Sequence, residues 1–245
     1  MGNATENVPA ESDVLCENCG YVLNGLGAAS NCPECGRPIA DSRPELRKGP
    51  AWEQPGGLAV RFAATSWDLL FHPAHFYRTF ATRGDRGASR RFALIYFALV
   101  SLLLGIGAYV HFSWFIDLGT ALPTYLKQAP AITIVVLSAV VFLCLDGITR
   151  IAARLTNWEA TYRGLRLPLN AVLRGLDYHA AHYLPVALVS SLTMIGYRVA
   201  LTHQWAGPAS APTYLYVLSG EVILAAVYLF QTYWIAMRNI MYANG

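Results

Sequence analysis

From residue 58 onward the chain is dominated by long apolar runs. Four are long enough to cross a bilayer, at residues 91–116, 131–149, 183–202 and 213–237. At ~1.5 Å per residue each matches a hydrocarbon core of roughly 30 Å. One such run could be the buried core helix of a soluble domain, but four in one chain predict transmembrane helices, TM1 to TM4 in that order. Two further segments follow a helical period without being apolar all round. In LAVRFAATSWDLLFHPAHFYRTF (58–80), Leu58, Phe62, Leu69 and Leu70 share a face, with Trp67 near its edge. This predicts an interfacial helix over 58–72, broken by Pro73 or followed by a short helix that Pro73 begins. Pro168 is placed like a first helical residue, and Leu169, Val172, Leu173, Leu176 and Ala180 recur at i, i+3, i+4, i+7 and i+11. That predicts an amphipathic helix over 168–182 along the membrane face, leading into TM3. Residues 58–245 then form one membrane domain.

Composition agrees. Of 245 residues, 55% are hydrophobic and 13% charged, whereas a water-soluble domain carries about a quarter charged residues. The net charge of +3 is small, but the arginines are unevenly placed. Arg83, Arg86, Arg90 and Arg91 precede TM1, Arg150, Arg154, Arg163, Arg166 and Arg174 fill the TM2–TM3 loop, and Arg238 follows TM4. The TM1–TM2 loop has only Lys127, and residues 203–212 have neither Lys nor Arg. The positive-inside bias therefore predicts both termini in the cytoplasm.

Ahead of the membrane domain the pattern changes. Residues 1–13 are polar and acidic, without the apolar core of a signal peptide, and predict a disordered tail. Asn3-Ala4-Thr5 matches a glycosylation sequon that only a lumenal or extracellular tail could use, and Glu6 stands where myristoylation of Gly2 needs Ser or Thr. In CENCGYVLNGLGAASNCPECG, Cys16, Cys19, Cys32 and Cys35 form two C-x2-C pairs twelve residues apart. Two residues between thiolates let both sulfurs of a tight turn point at one ion, and Gly20 and Gly36 relieve the turns. Four thiolates so spaced suit one tetrahedral Zn2+, with an iron centre or two disulfides as competitors. With so little to bury, residues 14–40 would fold as a zinc ribbon on the metal's binding energy, on the order of 10 kcal/mol. Residues 41–57, rich in Pro, Gly and charge, predict a flexible linker. The fifth cysteine, Cys144, sits in an apolar run and is expected to be buried.

Other candidate chemistry lies in the membrane domain. His72 with His75, and His179 with His182, each stand at i and i+3 and could share a second metal ion. Interfacial imidazoles with a wet edge are the plainer expectation. Neither HExxH, GxSxG, a phosphate-binding loop nor GxGxxG occurs, so Leu145-Asp146-Gly147 lacks the partner motif of a metalloprotease. Gly105 and Gly107 suit close helix contact. Arg198 and Glu221 fall at depths differing by ~5 Å on antiparallel neighbours, which predicts an intramembrane ion pair.

CENCGYVLNGL…CPECG resembles the short zinc-ribbon leaders, CxxCGYxLxGL…CPECG, of bacterial membrane and regulatory proteins. The remainder resembles the Yip1-type group of small multispanning proteins, through Pro73 and Phe76 in LLFHPAHFYRTF and through LPLNAVLRGLDYHAAHYLP before a later span. That group usually has five spans rather than four. The resemblance implies a non-enzymatic protein of a bacterial-type inner membrane. The expected fold is an all-α polytopic membrane protein of four transmembrane helices plus interfacial helices, with a small N-terminal β zinc ribbon. Its expected partners are the lipid bilayer, a cytosolic or membrane protein docked through the ribbon, and further copies of the chain itself as a homo-oligomer. With Glu17, Glu34 and Arg37 but no basic-aromatic patch, the ribbon is poorly suited to nucleic acid. The competing expectation is a small transporter or metal-dependent membrane enzyme using the histidine pairs, Asp146 or Glu221.

Overall fold

In the computed structural model of the protein the described residues are 9–10, 12–42, 47–117, 128–207 and 210–244, without the side chains of 114–117. Most of the expected disordered tail, the sequon, Gly2 and Lys127 lie outside them. Among the described residues seven helices follow one another: α1 (Leu58–Phe71), α2 (Pro73–Thr79), α3 (Arg86–Asp117), α4 (Pro130–Tyr162), α5 (Leu169–His179), α6 (Tyr183–Thr202) and α7 (Ala211–Ile240). Pro73 does begin a helix, at a position where its missing N–H costs nothing.

Among the described residues four stretches are long and apolar enough to cross a membrane: Arg86–Ser113, Pro130–Tyr162, Leu169–Thr202 and Ala211–Ile240. The helices outrun the apolar windows. α4 has 33 residues, ~50 Å against a core of ~30 Å, so the chain of TM2 continues as helix well past residue 149.

The chain divides into two compact units. One comprises Leu94–Ile148 and His182–Gln231, which take in most of α3, the first part of α4, all of α6 and the first part of α7. Here small residues set the spacing. A Cβ on Gly105 would collide with Ser138, and one on Gly107 would lie 3.1 Å from both Ser191 Oγ and Met194 Sδ. Ser191 Oγ donates to the Leu103 carbonyl at 2.9 Å. The outer faces are apolar and bare, with Ile132, Leu143, Val222 and Leu224 each about two-thirds exposed. Such a face is stable in lipid, not in water. Cys144 is exposed as well, contrary to expectation. In lipid both sides of a helix can be apolar, so an apolar neighbourhood no longer implies burial.

The second unit comprises Met1–Ala93, Thr149–Ala181 and Thr232–Gly245. Its core is aromatic: Tyr178 of α5 meets Phe76, Phe80 and Phe92 at centroid distances of 5.4, 5.9 and 5.1 Å. Part of the expected flexible linker, residues 47–53, is a packed strap, while 54–57 are exposed. A 3-10 turn at Ala51–Glu53 buries Trp52, whose Nε1 donates to the Ala88 carbonyl at 2.7 Å and whose ring abuts Phe62 and Phe92. Glu53 accepts both Nη2 bonds of Arg174, at 2.6 and 2.8 Å, and the Tyr178 hydroxyl at 2.8 Å. These anchors are single residues with distant partners, so no period betrays them.

The same contacts correct the helix expected over 168–182. Pro168 is its N-cap, α5 ends at His179, and a 3-10 turn, Ala180–His182, leads into α6. Residues 171–179 are all buried, so α5 presents no solvated polar face. Its polar side is covered by matched groups: Arg174 by Glu53, and Asp177 by the Ser89 hydroxyl at 3.0 Å and Arg90 at 3.9 Å.

Candidate metal centre

The sequence repeats one local device twice. The amide of Gly20 donates to Cys16 O at 2.8 Å and that of Cys16 to Tyr21 O at 2.8 Å; Gly36 to Cys32 O at 2.9 Å and Cys32 to Arg37 O at 2.8 Å complete the second copy. Both glycines take positive φ, +80° at Gly20 and +72° at Gly36, which turns the chain back beneath the paired thiols. The ribbon's expected β structure shrinks to two isolated antiparallel bridges, Leu15↔Val22 and Asn31↔Pro38, with no strand among the described residues. Each arm is too short for a ladder, so the knuckles themselves fix the shape.

The two knuckles face each other. Cys16 and Cys35 Sγ lie 3.5 Å apart and Cys19 and Cys32 Sγ 3.7 Å apart. All four sulfurs fall within 4.8 Å of one another. Four sulfurs at 2.3 Å from a tetrahedral ion would stand ~3.8 Å apart, so the cluster fits such an ion without rearrangement. All four cysteines are free, which sets the disulfide alternative aside. Leu23 and Ile39 pack with the buried sulfurs as the ribbon's small core. The thiols are not equivalent. Burial pushes Cys16 up and Cys19 up to about 12. The backbone amide of Arg37 holds Cys35 down to about 6.

What the sequence did not suggest is how firmly this module is held. Arg47, 7% exposed, reaches Glu17 through Nε at 2.6 Å and Nη2 at 2.9 Å. It also donates to the carbonyls of Tyr77 (3.2 Å), Phe80 (2.9 Å) and Asn239 (3.0 Å). Asn244 binds the ribbon from the other side: its Nδ2 donates to Leu15 O (2.6 Å) and Ser42 O (2.8 Å) and its Oδ1 accepts from Leu15 N (2.9 Å). The Tyr242 ring passes so close to Gly20 that a Cβ there would lie 2.6 Å from it. The glycine therefore serves both the turn and the dock.

Among the described residues the cysteine cluster is the one group of three or more His, Cys, Asp or Glu side chains able to share an ion. His72 and His75 are exposed, whereas His179 and His182 are buried. His179 Nε2 lies 2.9 Å from Thr232 Oγ1, and His182 Nδ1 lies 2.8 Å from the Tyr228 hydroxyl. His179 and His182 are thus bonded to hydroxyls, and among the described residues the four histidines do not come together as one ion site. Glu221 takes its hydrogen bond from Thr193 Oγ1, while its Oε2 is buried with no hydrogen-bond partner, so the expected bond from Arg198 is not made there. Glu221 meets α6 at Thr193 rather than at Arg198. Five residues separate Thr193 from Arg198, about 140° around α6, so one cannot face the Glu221 carboxylate from the position of the other. Tyr197, nearly one turn from Thr193, does face α7 and stacks on Tyr214 at 4.1 Å.

No protein-family model, curated protein or solved structure matches this chain.

Proposed function

We propose that the chain is a non-enzymatic, multi-pass protein of a bacterial-type inner membrane, Yip1-like in organisation. Its cysteine cluster holds one structural Zn2+, and its N- and C-termini face the cytoplasm. The observation that carries this is the dock of the cysteine module: Arg47 and Asn244 bind it through charged and neutral hydrogen bonds that involve buried backbone. A metal site tied so tightly into the fold, with four thiolates and no open ligand position, suits structure rather than turnover. The arginine distribution supports the orientation, and a reducing cytoplasm supports thiolates available to zinc.

Tyr21, Val22 and Leu26 of the ribbon are exposed. They are the ribbon's best surface for a protein partner, a second copy of the chain included. The transporter alternative draws on one observation, the buried Glu221 oxygen that lacks a hydrogen bond.

Metal analysis of the purified full chain tests the assignment. One zinc per chain, lost in Cys16→Ser with Cys19→Ser, is expected. Iron in place of zinc, or a second metal kept by that double variant, defeats it.

A further inference from the structure

Helix α1 has the reverse of the polarity a water-facing helix needs. Every exposed residue in it is apolar, with Val60 at 72%, Trp67 at 58% and Phe71 at 60%. Its polar residues, Arg61, Thr65, Ser66 and Asp68, are buried or half-buried. Three of them bond to backbone. Arg61 donates to the carbonyls of Trp52 (3.2 Å) and Gln54 (2.7 Å), Ser66 donates to that of Phe62 (2.7 Å), and Thr65 accepts from the Trp52 amide (2.8 Å). The face that the apolar period marks, Phe62 with Leu69, is not the free one. Leu69 is fully buried, and Phe62 abuts Trp52 and Phe92. Val60, Trp67 and Phe71 recur at i, i+7 and i+11 as one outward stripe, with the Trp67 and Phe71 rings 4.3 Å apart. An exposed stripe without a charge on it suits an apolar solvent.

The height of α1 relative to the bilayer follows from α3. The Phe62 ring lies 5.2 Å from that of Phe92, which belongs to a stretch of membrane length and directly follows the exposed Arg91. From Phe92 to Ile116 the chain has no Asp, Glu, Lys or Arg. α1 therefore meets α3 where its arginines give way to the apolar run, at the membrane surface. With 14 residues α1 is ~21 Å long, short of a core of ~30 Å, so it lies along that surface rather than across the bilayer. We propose that α1 is an in-plane membrane helix whose stripe of Val60, Trp67 and Phe71 is covered by lipid acyl chains. Lipid is favoured over a second copy of the chain because the stripe stands where TM1 enters the bilayer, where acyl chains are already present. This inference rests on reading α3 as a transmembrane helix and is independent of what the ribbon docks.

The test puts the photoreactive residue benzoylphenylalanine in place of Trp67 in one full chain and in place of Leu224 in another, both in phosphatidylcholine vesicles. Leu224, exposed on the membrane-length helix α7, reports on the transmembrane reading itself. After illumination the products are weighed by mass spectrometry, and a chain-plus-lipid product is expected at both positions. Adding Val60→Asp with Phe71→Asp should cut the lipid product at position 67 roughly tenfold and leave that at position 224 unchanged. Lipid at position 224 with none at position 67 overturns the proposal, as does a lipid product at 67 that the two carboxylates leave intact. Two chains linked through position 67 assign the stripe to a second copy and overturn the lipid claim. No lipid at either position defeats the transmembrane reading, and the proposal with it.

Discussion

Leu15 and Asn244 hold each other in both directions: the Leu15 amide donates to Asn244 Oδ1 at 2.9 Å, and Asn244 Nδ2 donates to the Leu15 carbonyl at 2.6 Å. One side-chain amide thus replaces a neighbouring strand for a buried residue 229 positions away. Replacing Asn244 with Ala leaves the N–H and C=O of Leu15 and the carbonyl of Ser42 without partners. The expected cost is about 2–4 kcal/mol of stability. Hydrogen exchange should show the Leu15 amide losing its protection. Unchanged protection there would mean that the dock is not held by this contact.

Arg47 should be harder to replace than any exposed arginine. Its guanidinium neutralises Glu17 and meets three carbonyls, and Arg47→Met leaves Glu17, itself mostly buried, uncompensated. A loss of about 3–5 kcal/mol is expected, read as a drop in thermal unfolding temperature. Arg47→Lys should recover little, because an ammonium lacks the forked geometry. Full recovery by Lys would reduce the residue to a simple charge.

A Cβ on Gly84 would collide with the Arg174 guanidinium. That end of the side chain cannot swing away freely, being bound to Glu53 and lying over the Phe80 ring at 4.7 Å. Gly84→Ala should therefore destabilise by about 2 kcal/mol. Combining it with Arg174→Met should cost less than the sum of the two single changes. Strict additivity would remove the proposed clash.

Metal loading should depend on pH more steeply below the Cys35 titration than above it. Cys35 is held down to about 6 by the Arg37 amide, so above that pH it is already a thiolate, and an incoming ion displaces no proton from it. As the pH falls through about 6 the thiol protonates and the ion must displace one proton more, adding about tenfold per pH unit to the loss of affinity. Cys19, up to about 12 through burial, contributes the same dependence on both sides of that point. Competition against a chelator from pH 5 to 8 measures the slope, and a constant slope rules out the low Cys35 value.

Within the membrane helices, Thr193 and Glu221 should be energetically coupled and Arg198 and Glu221 should not. A double-mutant cycle of Thr193→Val with Glu221→Gln, followed by thermal unfolding in detergent, should give a coupling of about 1 kcal/mol. The cycle of Arg198→Gln with Glu221→Gln should give less than about 0.5 kcal/mol. The opposite ranking would restore the ion pair.

The membrane helices and the cysteine centre were legible in the sequence because each is a local property, apolar length in one case and ligand spacing in the other. The strap was not. Arg47, Trp52 and Glu53 look like linker residues, and their partners Glu17, Ala88 and Arg174 lie 30, 36 and 121 positions away. The polar side of α5 misled for the same reason, since it faces groups of the strap and α3 rather than solvent. Glu221 shows a different limit: counting residues does not say which way a side chain points around the axis, because that depends on how the helices are rotated.

The bonds between residues 15 and 244 also constrain how the protein can be made. They close only if both residues end on one side of the bilayer, so the chain between them must cross an even number of times. During synthesis the cysteine module emerges before α1 and its docking residue Asn244 only after α7. The dock therefore acts as a seal on completed insertion. A chain in which one helix failed to insert would leave the two surfaces on opposite sides of the membrane, with the bonds of Leu15 to Asn244 and of Arg47 to Asn239 unmade and the module exposed to proteases.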